Sequence, residues 1–343
     1  MPARSIFVSL ISIAIVSLTL GATKEVAEPI APPYASERKL LSTDFERLEW
    51  KDTKRNTDVP VKIYFPTEGA GPFPVIIFSH GLGGTREGYE YLGRQWAANG
   101  FVVIHLQHPG SDDSAWRGQE RPMQSMKQAA NGRNAYDRCL DVNFTIDQLE
   151  SLNSNDPKLK GKLDVKSIGM SGHSFGGNTT MLEIGQRLSG GPLPRNAEPT
   201  LRNDHIVAAI AMSPPVPLDH ENLDDTYNPI RVPLFVMTGT KDDSPIGNTK
   251  AKDRRMPFDH GPNNTAPKYL LTLTDGDHMV FSGRLTGLTN REDEKFQKQI
   301  RLSSTAFWDA YLKHDDAAKK WLDDEGGFKQ ELGAVGVLEH KGD

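Results

Sequence analysis

One cysteine, Cys139, stands in 343 residues, so no disulfide can form within the chain and folding needs no oxidising compartment. It falls on an apolar position of a predicted helix with no glycine turn or helix N-terminus beside it. That is the setting of a buried inert thiol rather than a nucleophile. Basic runs are also missing. The 40 lysines and arginines face 45 aspartates and glutamates, for a net charge of −5 spread along the chain. This excludes the footprint of a nucleic-acid binder and points to a small or neutral partner. No repeat of any period is present. Long apolar segments are scarce too: the run at 6–20 is short for a spanning helix.

That run follows Arg4 and precedes the small residues Gly21 and Ala22, the layout of a secretory signal peptide over 1–22. A cleaved signal leaves no stable membrane span and puts the rest of the chain outside the cytoplasm; an uncleaved N-terminal anchor is the alternative. Residues 23–42 are rich in proline and read as a linker or arm. With 37% hydrophobic and 25% charged residues, 31 glycines and 23 prolines, the chain as a whole has the composition of a turn-rich globular protein. One large domain over 43–325 is expected, followed by a C-terminal tail at 326–343.

Segments 45–52 and 59–67 alternate as half-buried strands in a hairpin or meander. The runs at 73–81, 101–106, 166–172, 206–213 and 233–239 are short, aliphatic and bounded by glycine or proline, as suits strands covered on both faces. A further strand is expected at 269–276. Helical patterns occupy 86–100, 134–152, 175–188 and 292–324. Strand alternating with helix predicts an α/β fold: a mostly parallel central sheet of about eight strands with helices on both faces. The stretch 107–133 exceeds an ordinary connection and reads as a cap insertion; 189–204 reads as an exposed connection.

Residues 172–176 spell Gly-His-Ser-Phe-Gly, placed where a strand ends and a helix begins. A serine on such a strained turn stands clear of the backbone, with a helix N-terminus facing any negative charge that develops beside it. Side chains two residues to either side would collide where strand and helix cross, which calls for the glycines found there. Ser174 is therefore the candidate nucleophile. A serine hydroxyl needs a base, and the base needs a carboxylate to orient it. On such turns the chain order is serine, acid, histidine. His278 follows a strand, whereas His205 precedes one, His220 and His260 lie in polar loops and His314 falls on the last helix. The acid is expected at Asp242, in the Gly-x-x-Asp that ends the strand at 233–239, with Asp243 as its neighbour and alternative. Asp275 and Asp277 read as turn formers.

An oxyanion needs two donors aimed at it in advance. The amide of Phe175 is one candidate, and that of Leu82, in Ser-His-Gly-Leu-Gly-Gly at 79–84, is the other. Trp116, Phe175, Met212 and Met279 are candidates for the substrate pocket. The acidic stretch 218–225 lacks the glycine of a calcium loop and reads as solvated, so neither metal nor cofactor is expected.

Together these pieces resemble the α/β-hydrolase superfamily from about residue 45 to 322. The FSHGLGG loop, the GHSFGG turn and the late Gly-Asp-His are similar to the platelet-activating factor acetylhydrolase and dienelactone hydrolase-like branch. The resemblance implies a metal-free serine hydrolase of short or oxidised acyl esters. Two features depart from the branch. Mammalian acetylhydrolases carry the triad aspartate on the strand after the serine turn, where this chain has Met-Ser-Pro-Pro at 212–215; dienelactone hydrolases use cysteine where this chain has Ser174. Cutinase-like polyester hydrolases and chlorophyllases share a GHS-x-GG turn, so a polymeric or bulky ester is the alternative substrate. A serine peptidase of the same fold and a non-catalytic binding module are the other readings.

Overall fold

Short aliphatic runs become the middle of one sheet. The computed structural model describes residues 26–187, 201–217, 222–261, 265–282 and 293–342. Among them nine strands form one sheet: β1 (Thr43–Asp52), β2 (Thr57–Pro66), β3 (Phe73–Ser79), β4 (Val102–Leu106), β5 (Leu163–His173), β6 (Ile206–Met212), β7 (Leu234–Lys241), β8 (Lys268–Asp277) and β9 (Gly336–Lys341). Their order across the sheet is β1-β2-β4-β3-β5-β6-β7-β8-β9. The six from β3 to β8 run parallel, and β1, β2 and β9 complete the edges in antiparallel pairs. This is the α/β-hydrolase fold.

The connecting helices are α1 (Glu90–Ala98), α2 (Pro122–Ala129), α3 (Gly132–Asn155), α4 (Phe175–Glu183), α5 (Leu223–Tyr227), α6 (Met256–Asp259), α7 (Asp293–Leu312), α8 (Asp316–Asp323) and α9 (Phe328–Leu332). Alternate residues of the central strands enter opposite cores, as the period of two requires. Ile76, Phe78, Ile210 and Phe235 pack with Trp96 of α1 and Phe307 and Trp308 of α7. Val75, Ile77, Ala209 and Val236 pack with Val142 and Leu149 of α3 and Met181 of α4. Each buried Val, Leu, Ile, Phe or Met among them contributes roughly 1.5–3 kcal/mol. Trp96 and Trp308 meet edge to face at 5.9 Å, and the Trp96 indole donates to Ser304 Oγ at 2.9 Å. In a parallel sheet the loops after β3, β5, β7 and β8 emerge on one side, so residues far apart in sequence converge there.

Two expectations change, and two segments gain definition. The ninth strand is the stretch 336–341, which had read as tail: Leu338 points into the core and Val337 outward, and the segment pairs with β8 from Gly336 to Lys341. Its polar end, Glu-His-Lys at 339–341, keeps it from standing out as a strand. The helix expected over 292–324 is two helices. His314 adopts a left-handed φ of 56°, and the Asp315 carboxylate starts α8 by accepting the amides of Ala317 and Ala318. The piece at 107–133 has structure of its own, including α2, and Asn131 caps α3 by accepting from the Asn134 amide. The segment from 26 is a docked arm rather than a free linker. Ile30 exchanges two 2.8 Å hydrogen bonds with the buried Gln95 side chain, and the Tyr34 hydroxyl and Arg38 both reach the buried Asp309 carboxylate at 2.5 Å.

The signal expected at 1–22 lies outside the described residues, as do 189–200 of the expected exposed connection and 218–221 of the acidic stretch. No described helix is long and apolar enough to cross a membrane. Cys139 is wholly buried, and burial pushes its thiol well above the ordinary value.

Candidate active site

Ser174 sits between the end of β5 and the start of α4 with φ 56° and ψ −118°, a backbone conformation costly for any side chain. It is held by its amide donating to Met212 O at 2.9 Å and its carbonyl accepting the Asn178 amide at 3.0 Å. The flanking glycines are obligatory. A Cβ on Gly176 would stand 1.9 Å from Ser79 O, and one on Gly172 would stand 2.3 Å from Gly176 O.

β7 ends immediately before Asp242 and β8 immediately before His278, so both side chains project from the same sheet edge as Ser174. His278 Nε2 lies 2.9 Å from Ser174 Oγ, and His278 Nδ1 lies 2.7 Å from Asp242 Oδ1. An ionised carboxylate only accepts, so Nδ1 carries the proton and Nε2 is free to accept from the serine hydroxyl. Asp242 is fully buried, and its other oxygen accepts from Ser213 Oγ at 2.5 Å and Thr238 Oγ1 at 2.9 Å. The alternative acid, Asp243, is exposed and turned to the Ala251 amide and Lys250, both at 2.9 Å; the amide bond holds its carboxyl below the ordinary value. Asp275 pairs with Lys241 at 2.8 Å, and Asp277 accepts the Met279 amide at 2.8 Å.

A cavity of about 700 Å³ opens over this row, lined by Ser174 and His278 together with Leu82, Phe175, Leu182 and Met279. Two candidate pocket residues lie elsewhere. Met212 is fully buried in the core cluster beneath the sheet edge. Trp116 braces the loop at 80–84 from behind, its indole donating to Gly83 O at 2.8 Å. Met126, Ala130 and Asn131 bring the 107–133 segment onto the cavity wall.

Residues that sequence patterns did not single out hold the site together. Arg254 is 1% exposed. Its Nε stands 2.7 Å from Asp242 O and 3.0 Å from Asp242 Oδ1, its Nη1 donates to Ser213 O and Pro214 O at 2.7 and 2.9 Å, and its Nη2 lies 3.2 Å from His278 Nδ1. Burial lowers its pKa from the usual arginine value. Within Lys-Asp-Arg-Arg at 252–255 nothing in the sequence marks it from its less buried neighbours.

Arg138, also 1% exposed, donates to His80 O at 2.6 Å and to Ser111 Oγ and O at 2.8 and 3.2 Å, while Ser111 O accepts the Gly83 amide at 2.9 Å. Its guanidinium lies 4.5 Å from the Phe175 ring centroid, so one side chain ties the Leu82 loop to the start of α4; burial lowers its pKa to about 9.

Behind this loop Ser79 Oγ, His108 and Asp141 repeat the serine, histidine, aspartate order at 2.9 and 2.9 Å. Ser79 and His108 are 0% exposed and Asp141 2%, so that row reaches no cavity and serves as a brace.

A family model described as "Platelet-activating factor acetylhydrolase, isoform II" matches residues 46–138. The match takes in the Leu82 loop and ends at Arg138, before the serine turn and the loops that carry Asp242 and His278. Platelet-activating factor acetylhydrolase of Cavia porcellus is 27% identical over 154 residues, 37% of this chain and 35% of that protein. Those of Canis lupus familiaris and Bos taurus are 28% and 29% identical over 150 and 143 residues, covering 35% and 33% of this chain. The chain matches about a third of the length of these curated relatives, 35%, 34% and 32% respectively. It resembles the platelet-activating factor acetylhydrolase branch of the α/β-hydrolases.

Proposed function

We propose that this chain is a serine hydrolase of carboxylic esters, exported from the cytoplasm by residues 1–22 and acting on short acyl esters as its relatives' name suggests. The observation that carries the reading is the unbroken row from Ser174 Oγ through His278 to Asp242, 2.9 and 2.7 Å long, beside a largely apolar cavity.

Ser174 attacks the ester carbonyl while His278 Nε2 takes its proton. The oxyanion is received by the amides of Leu82 and Phe175, each of which contributes roughly 3 kcal/mol to the transition state. Asp242 keeps the proton on Nδ1 and balances the imidazolium. The imidazolium then protonates the departing alkoxide, leaving an acyl-enzyme. Water enters and attacks the acyl carbon as His278 takes its proton; the imidazolium then returns that proton to Ser174 Oγ as the C–Oγ bond breaks and the acid leaves. No metal or cofactor takes part. The cavity is wider than an acetyl group needs, which leaves room for a bulky alcohol portion. The 107–133 segment acts as a cap over it.

Steady-state kinetics on p-nitrophenyl esters from acetate to palmitate test both parts. Ser174→Ala lowers kcat by roughly 10⁶ if the three residues act as a unit. Near-normal turnover by that variant refutes the nucleophile, and a preference for palmitate refutes the short-acyl reading.

A further inference from the structure

Three loops from different strands must stay in register for this site to work, and one hydrogen-bonded line crosses all of them. His173 Nε2 lies 2.9 Å from His278 O. A carbonyl only accepts, so this nitrogen carries the proton and Nδ1 must accept. Its partner at 2.8 Å is the Tyr89 hydroxyl, which therefore donates. The same Tyr89 oxygen accepts the Gly81 amide at 3.3 Å. The line thus runs from the residue next to Leu82, through the residue that precedes α1 and the serine turn, to the backbone of His278. Tyr89 and His173 are 8% and 2% exposed. Tyr89 is held at φ 60°, a left-handed conformation that a bulky side chain adopts only when its surroundings impose it.

We propose that Tyr89 and His173 are positioning residues, a strut that sets the separation between the Leu82 amide and the His278 imidazole across the cavity. The inference rests on the triad reading above, since it assigns the strut to the same reaction. A site held to within about 0.5 Å of its productive geometry loses turnover when a support is removed. Misalignment of a donor and a base weakens only transition-state contacts, so kcat falls while KM holds.

Kinetics on p-nitrophenyl acetate, with thermal unfolding of each variant, test this. Tyr89→Phe removes one oxygen and keeps the ring; kcat drops about tenfold with KM changed by less than about twofold. His173→Leu lowers kcat further, and His173→Gln, whose amide can still donate to His278 O, recovers part of the loss. An unchanged kcat in Tyr89→Phe overturns the proposal. So does a rise in KM at constant kcat, which makes Tyr89 a substrate contact, or equal activity of the Gln and Leu variants. If His173→Leu does not fold, Tyr89→Phe decides alone. Ser174→Ala run alongside separates the two readings: an active Ser174→Ala removes the triad, whereas a dead Ser174→Ala beside an unaffected Tyr89→Phe removes only the strut.

Discussion

Asp242→Asn is the substitution whose outcome the surroundings define most tightly. Oδ1 faces His278 Nδ1 at 2.7 Å and the obligate donor Arg254 Nε at 3.0 Å; Oδ2 faces two hydroxyls, Ser213 and Thr238, which can turn and accept. An asparagine therefore fits one way only, with its carbonyl toward His278 and its amide nitrogen toward the hydroxyls. The working tautomer of His278 survives, and only the charge is lost. With the ring and carboxylate centres roughly 4 Å apart, an effective dielectric of about 20 makes the imidazolium attraction about 4 kcal/mol. That corresponds to a fall in kcat/KM of about 10³. A flipped amide would force the wrong tautomer and deepen the loss to about 10⁴. The same change strands a buried guanidinium. Arg254 keeps its three backbone carbonyls, so the cost sits at the low end for a broken buried pair, about 3 kcal/mol in urea unfolding. Adding Arg254→Gln recovers most of that stability and none of the activity. A single variant with kcat/KM within tenfold of the parent refutes the assignment of Asp242, and one with unchanged stability refutes the ion pair.

Two further outcomes concern the frame around the site. Glu87 is held down to about 2, first by the Arg47 hydrogen bond at 2.6 Å and then by Lys62 at 3.0 Å. A carboxyl depressed in the folded state adds stability above its unfolded value of 4.5 that is lost as pH falls through about 2. Glu87→Gln accordingly costs about 1 kcal/mol at neutral pH, after discounting for its half-exposed side chain, and the gap to the parent closes toward pH 2 in acid-unfolding curves. A constant gap from neutral pH to about pH 2 contradicts this. Tyr34→Phe removes the hydroxyl that donates to Asp309 and costs about 1–2 kcal/mol of stability with no change in kcat/KM. No loss of stability means the arm is not part of the folded domain.

The central strands and the serine turn were legible because each is a local pattern: an aliphatic run bounded by breakers, and glycines at fixed offsets from Ser174. Asp242 and His278 could be placed because both follow a strand directly. The structure sets Asp243 apart by pointing it at Lys250 and Ala251. Arg254 and Arg138 were not legible, because their significance comes from carbonyls distant in sequence; in the chain neither belongs to a motif. Met212 carries the same apolar signal whether it faces a cavity or a core, and the sheet's alternation sends it to the core. β9 escaped notice because a short edge strand is defined by its partner β8 rather than by its own composition.

Labelling with a fluorophosphonate, followed by peptide mass spectrometry, bears most directly on the reaction proposed here. One adduct per chain is expected on the peptide that contains Ser174, absent in Ser174→Ala and formed much more slowly in His278→Ala. An unlabelled folded protein, or an adduct on another serine, contradicts the account.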